Sequence, residues 1–465
     1  MSTRHPRNVR RPVAGAVVLV ALAGCGLRIP HSQVVAQEQL RAGAYPPGAT
    51  GSDGTATGAT TGTADTGTSG ASGTTSSSGG SPTSGSGTTT GATGSTSTSG
   101  TGGAPKTGDT SPIVIGTTGG YSGVSNIGTV ARDTLMVWAR SVNQQGGING
   151  HQVQVVAEDN ASDDNRSLAA VQDLVDNKHA VAIVGLGPGT DIAPFMPYLQ
   201  RKQVPVVGGF VTTGNWWNYT MAFPDGTYGP TVVHGYDATV ARIAKKKNIA
   251  ILYCAESPQC KDNADPAAAY APKEGLSVKL EQAVSIAQPD FTSSCLQAKG
   301  KGVEAMLLFV DSATVKRIAS SCATQGFHPI MAGLGDNTLS SNPDLQGMVT
   351  ASDTFSWDDA STPALSAFQK AMSAFGPNVP LSSVAAGTWA AAEEFRAALR
   401  GATGRVTSAT VLAGLWKLKN ETLGGLVPGI TFTKGKNATK NSCFLPVQLV
   451  NNKWRASSKR ICLSL

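Results

Sequence analysis

The residues of this 465-residue chain that could do chemistry are seven cysteines, six histidines and a few glycine-rich loops. Cys25 stands alone near the start, while Cys254, Cys260, Cys295, Cys322, Cys443 and Cys462 fall in the second half. There is no Cys-x-x-Cys, and His151, His179, His234 and His328 are scattered singly, so spacing assembles no metal ligand set. Gly116 to Gly128 is rich in glycine but lacks the G-x-G-x-x-G spacing of a dinucleotide turn. No phosphate-cradling G-x-x-x-x-G-K-[ST], no H-E-x-x-H and, in the folded part, no G-x-S-x-G occurs either. An enzyme is therefore the wrong class, and no cofactor or metal is expected. What remains is binding chemistry, which in an α/β protein sits at the carboxyl ends of strands. Two loops qualify: Gly185 to Thr190, with Gly187 and the hydroxyl of Thr190, and Gly208 to Thr213, with the Phe210 backbone and Thr212. A helix predicted from Asp191 would turn its free N–H groups toward the first loop and attract an anion such as a carboxylate.

The net charge of +7 suggests nucleic acid until its distribution is considered. Arg4, Arg7, Arg10 and Arg11 precede Pro12, and setting them aside leaves 33 Lys+Arg against 30 Asp+Glu with no basic patch interleaved with aromatics. The basic head, the uncharged run Pro12 to Ala23 and the order Leu22-Ala23-Gly24-Cys25 form a leader too short to span a bilayer, which takes about 20 residues. Its end resembles the lipobox of bacterial lipoproteins. That resemblance implies a signal peptide over 1–24, acylation of Cys25 and a partner in the lipid bilayer at the extracytoplasmic face of the cell membrane. Between Gly51 and Thr110, 48 of 60 residues are Gly, Ser or Thr, so segment 25–111 reads as a disordered linker, either a spacer or an O-glycosylation substrate. As a flexible coil it would reach about 50 Å. In an exported protein, six remaining cysteines suggest three disulfides, for which fifteen connectivities exist.

From residue 112 onward, short apolar runs alternate with helical periodicity. Strands are predicted at Ile113–Thr117, Val153–Ala157, Val181–Val184, Val204–Val207, Ile249–Tyr253, Ser277–Val284, Ala305–Val310, Ile330–Ala332 and Cys443–Val450. Helices are predicted at 125–143, 165–178, 191–201, 231–246, 263–274, 291–300, 312–325, 361–375 and 383–400. The alternation implies parallel sheets covered on both faces, and its two series imply two doubly wound parallel-sheet lobes joined by hinge strands. One lobe takes about 112–230 and 351–430, the other about 231–350 and 431–465. In that topology proximity selects Cys254 with Cys260, Cys295 with Cys322, and Cys443 with Cys462. Trp216 and Trp217 read equally as cleft wall or as interlobe packing.

Specific phrases carry a resemblance. Ile113-Val114-Ile115-Gly116, then Tyr121-Ser122-Gly123, then Asn143-Gln144-Gln145-Gly146-Gly147-Ile148-Asn149-Gly150 followed by Val153 to Val156 and Asp159 resemble the start of the type I periplasmic binding fold. Within that fold the likeness is to the branched-chain amino acid binding proteins of ABC transporters, and it continues through Phe291-Thr292 and Gly302-Val303-Glu304. It implies a small, amino acid-like ligand held between lobes and a permease as partner, with an extracellular sensor on the same fold as the alternative. It also implies that Tyr121, Ser122, Gly187, Thr190, Phe210 and Thr212 contact the ligand from one lobe. From the other, Asp311 or Asp336 would accept a hydrogen bond from an ammonium, although the family's Glu aligns at Gly335 or Asp336.

Overall fold

The computed structural model describes residues 109–122 and 128–464. The leader, the Cys25 acylation site and nearly all of the linker lie outside the described residues. Two sheets organise the rest. The first contains β1 (Ile113–Gly119), β2 (Val153–Asp159), β3 (Ile183–Leu186), β4 (Val206–Gly209) and β5 (Ala222–Phe223). Its order is β2-β1-β3-β4-β5 and every pairing is parallel, with Ile113 opposite Val153 and Gly119 opposite Asp159. The central strands are buried, so Ile183-Val184-Gly185-Leu186 reads as a continuous apolar run rather than an alternating one.

Helices α1 (Gly128–Gln144), α2 (Asp164–Asp176) and α3 (Met196–Lys202) connect these strands. Asp163 caps α2 by accepting from the Arg166 N–H. Helix α3 starts five residues later than its periodicity predicts. Pro194 and Pro197 supply no N–H and favour an extended residue before them, which delays the first helical turn.

The second sheet comprises β6 (Asn248–Cys254), β7 (Ser277–Val284), β8 (Ala305–Phe309), β9 (Ile330–Gly333), β10 (Val349–Ser352), β11 (Cys443–Val450), β12 (Lys453–Ala456) and β13 (Ile461–Cys462). The order β12-β11-β10-β9-β8-β6-β7 is parallel from β10 to β7, while β11 runs antiparallel to β10 and pairs with both β12 and β13. Helices α4 (Gly229–Arg242), α5 (Pro258–Tyr270), α6 (Thr292–Gly300) and α7 (Ser312–Thr324) belong to this sheet. The remaining helices, α8 (Pro363–Phe375), α9 (Ser383–Ala398) and α10 (Ser408–Leu415), return to the first sheet. Helix α9 is buried almost all round between β3, β4 and α1, and its alanines permit that close approach.

Three disulfides close short loops of the second sheet and its helices: Cys254–Cys260, Cys295–Cys322 and Cys443–Cys462. The chain crosses between the sheets three times, after Phe223, after Ser352 and before Cys443. These crossings are bonded side by side. Thr227 Oγ1 donates to the carbonyls of Asp353 at 3.0 Å and Cys443 at 2.7 Å, and the Tyr228 N–H donates to Asn441 O at 2.8 Å.

Candidate functional site

The carboxyl ends of β4, β6, β8 and β9 all open onto the space between the two sheets. An inner chamber of about 140 Å³ lies there. Phe210 and Thr212, just beyond β4, wall it on one side; Val232, Val233, Leu308 and Val310 face them from the second sheet and α4. Each of those four aliphatic residues is buried. The Cys254–Cys260 disulfide forms another part of the wall and fixes the turn that carries Ser257 and Gln259 into it. Among the described residues no Lys, Arg or His lines this chamber, and Asp311 is its only acid.

Through Ile286, Asp311 and Leu334 the inner chamber adjoins an outer one of about 580 Å³ with more polar walls, among them Asp133, Arg317, Asp336 and Thr338. The lobes touch beside this outer space: Asn337 N–H donates to Leu381 O at 2.8 Å and Ser383 N–H to Gly335 O at 3.0 Å.

Behind β4 sits a group of buried acids. Asp225 Oδ1 accepts from the Gly209 N–H at 3.2 Å, whereas its Oδ2 and both oxygens of Glu394 have no partner. Burial pushes both carboxyls well up; the charge of Asp353 adds to it at Asp225, and that of Asp225 adds to it at Glu394. Burial also pushes Asp353, at the second crossing, up to about 6. Gly209 has φ 125°, and a Cβ there would lie 2.3 Å from the Leu186 nitrogen; glycine is what lets β4 turn into the cleft loop.

The residues expected to hold a ligand divide in this frame. Thr212 lines the inner chamber, and its hydroxyl is buried without a partner. Phe210 also lines it, but its backbone N–H is already bonded to Leu186 O at 2.8 Å and is not available to a carboxylate. Thr190 is buried with its hydroxyl accepting from Asn160 Nδ2 at 2.7 Å, outside both chambers. Gly187 packs against the Cα atoms of Gly119 and Gly128 and reaches neither chamber. Because α3 begins only at Met196, the loop 185–190 presents no helix N-terminus, which removes the expected anion site there. Tyr121 N–H and Ser122 Oγ both bond the carboxylate of Asp159, and neither residue lines the chambers. Burial raises the Tyr121 phenol.

Across the cleft, Asp311 caps α7, accepting from Thr314 N at 3.0 Å and Thr314 Oγ1 at 2.6 Å. It borders both chambers. Asp336 borders only the outer one and accepts from Thr338 N at 2.7 Å and from Ser312 Oγ. Trp216 and Trp217 are buried and line neither chamber; Trp217 packs edge-on against Tyr228 at 4.8 Å, so the pair is packing rather than cleft wall.

Sequence reasoning missed Val232, Val233 and Arg317. The first two open α4 immediately after a crossing, and Arg317 lies on the helix that follows a central strand, so proximity to carboxyl-end loops was the available signal.

The family model described as periplasmic binding protein matches residues 112–453. No curated protein matches the chain by sequence. Among solved structures, it is similar to a substrate-binding periplasmic protein from Ralstonia solanacearum, with TM-score 0.63 and 18% identity over 75% of this chain and 100% of that one. The branched-chain amino acid transporter substrate-binding protein of Streptococcus pneumoniae, in complex with isoleucine, gives TM-score 0.58 and 18% identity over 76% and 100%. The fatty acid ABC transporter substrate-binding protein of Thermomonospora curvata gives 0.59 and 17% over 77% and 95%. At such identities the likeness is one of fold.

Proposed function

The chain belongs to the periplasmic binding protein family, and from that premise we propose that it is the lipid-anchored, extracytoplasmic substrate-binding component of an ABC transporter, capturing a small solute between its two lobes for a membrane permease. The family is one of ligand binding and transport rather than catalysis. One observation carries the reading: the two-chambered cleft lies beside three crossings bonded through Thr227, so a ligand touching both walls favours the closed arrangement by its differential contacts. The Streptococcus pneumoniae and Thermomonospora curvata proteins are named as transporter components, which supports transport over sensing. The Leu22 to Cys25 order supports the anchor.

A thermal-shift screen of amino acids, amides, short peptides, aromatic acids and aliphatic acids tests this, followed by small-angle scattering with each hit. A ligand should raise the melting temperature and shrink the particle, and loss of the protein should abolish uptake of that compound. If no compound in any class does the first two, the binding reading fails; if uptake survives while a ligand response is lost, the protein is a sensor.

A further inference from the structure

Resting on that reading, we infer that the solute is an amphiphilic acid whose apolar body fills the inner chamber and whose carboxylate meets Arg317 in the outer one. Each carboxylate on the chamber walls that could greet an ammonium already has a partner, Asp133 through Arg132 Nε at 2.8 Å. Asp311 accepts from Thr314 through both oxygens, and Asp336 accepts from Thr338 and Ser312. The unmet groups are donors. Thr212 Oγ1 and Arg317 Nε are each buried with no partner.

Arg317 is held in place without being neutralised. One terminal nitrogen donates to Ile286 O at 2.5 Å and to Thr314 Oγ1 at 2.9 Å, and among the described residues no carboxylate pairs with it. A guanidinium that lines the outer chamber with no carboxylate to neutralise it is a ready partner for a ligand carboxylate, and charge-assisted bonds of this kind are the strong ones. The alternative of an anion in the inner chamber fails on charge. That space offers no cation and contains the Asp311 carboxyl, and its walls of Phe210, Val232, Val233, Leu308 and Val310 suit an apolar occupant.

Size follows from volume. A cavity of about 150 Å³ lined by aliphatic and aromatic side chains takes up benzene, so the inner chamber accommodates about six carbons, with the acid group reaching past Asp311 and Leu334 toward Arg317. An α-amino acid does not fit this division. Its ammonium and carboxylate leave the same carbon, and no unengaged carboxylate waits for the first.

Calorimetry at pH 7 with hexanoate, octanoate, 1-octanol, octylamine and L-leucine tests the inference on the full folded chain. Octanoate should bind at least tenfold more tightly than octanol, octylamine or leucine. Arg317→Gln should weaken octanoate about ten- to a hundredfold, the loss typical of a charged hydrogen bond, and leave octanol unchanged, with Arg317→Lys in between. Val310→Trp, which fills the inner chamber, should weaken octanoate and octanol together. Should Arg317→Gln fail to fold, the octanoate-to-octanol ratio in the parent protein and the Arg317→Lys value still decide. Tighter binding of leucine or of octylamine than of octanoate overturns the amphiphilic-acid class while leaving the transporter reading intact, as does unchanged octanoate affinity in Arg317→Gln. Silence of all five probes overturns the class too, and only silence across the broader screen removes the binding function itself.

Discussion

The hydroxyl of Thr227, on the first crossing between the sheets, donates to the carbonyl of Cys443 on the third at 2.7 Å, and it shares that proton with Asp353 on the second. One fully buried side chain thus ties all three hinge strands together. Its position helps give the cleft between the two sheets a defined geometry.

Thr227→Val keeps the shape and removes this bond, taking the hydroxyl donor from Cys443 O while Asp353 O keeps only the Thr227 N–H at 3.3 Å. The expected loss of stability is about 1–3 kcal/mol. Urea denaturation measures it, and scattering should show an altered ligand-induced compaction. A variant identical to the parent in both respects would mean the crossings are held by backbone bonds alone.

Asp237, on α4, is fully buried with neither oxygen partnered, and burial first and the charge of Glu274 second push its carboxyl up to about 9. The native state therefore keeps a proton that the unfolded chain releases near the ordinary value of 3.8. Stability from this group is fully present below that value and is lost as pH rises toward 9. Asp237→Asn, which cannot ionise, should flatten the fall in melting temperature between pH 5 and pH 9. An unchanged slope would contradict a protonated Asp237.

The three disulfides predict that alkylation of unreduced, exported protein adds no label at the six cysteines, by intact mass. Replacing both Cys295 and Cys322 by Ala should cost about 2–4 kcal/mol, because their loop is no longer closed in the unfolded chain. Opening Cys254–Cys260 should instead act mainly on ligand affinity, since that pair walls the inner chamber. Six labels on folded protein would refute all of this.

The lipid anchor rests on Leu22-Ala23-Gly24-Cys25. Labelled fatty acid should be incorporated into the parent, and Cys25→Ala should move the protein from the membrane to the soluble fraction. Equal membrane binding by both would leave no role for the acyl chains, whose burial in lipid is what holds the parent there.

Hydrophobic periodicity by itself determined much of the architecture. The strand bounds of Ser277–Val284 and Cys443–Val450 follow from local pattern, as do the two series of alternating elements, and central strands such as Ile183–Leu186 and Ala305–Phe309 show as unbroken apolar runs because both their faces are buried. A short strand without such a run was illegible for the converse reason. Val349-Thr350-Ala351-Ser352 is wholly buried as β10, yet Thr and Ser are there only because β9 and β11 flank it and satisfy its backbone. The site was legible as loops and not as chemistry. Sequence placed Thr212 and Asp311 beside the cleft, but whether a hydroxyl or N–H is free depends on its neighbours in space. Phe210 N–H is taken by Leu186, Thr190 by Asn160, and Asp311 by Thr314, while Arg317 is left with an unanswered donor. Chain order cannot reveal such competition, because a hydrogen bond goes to the nearest suitably oriented partner, and only the packing of one sheet against the other decides which that is.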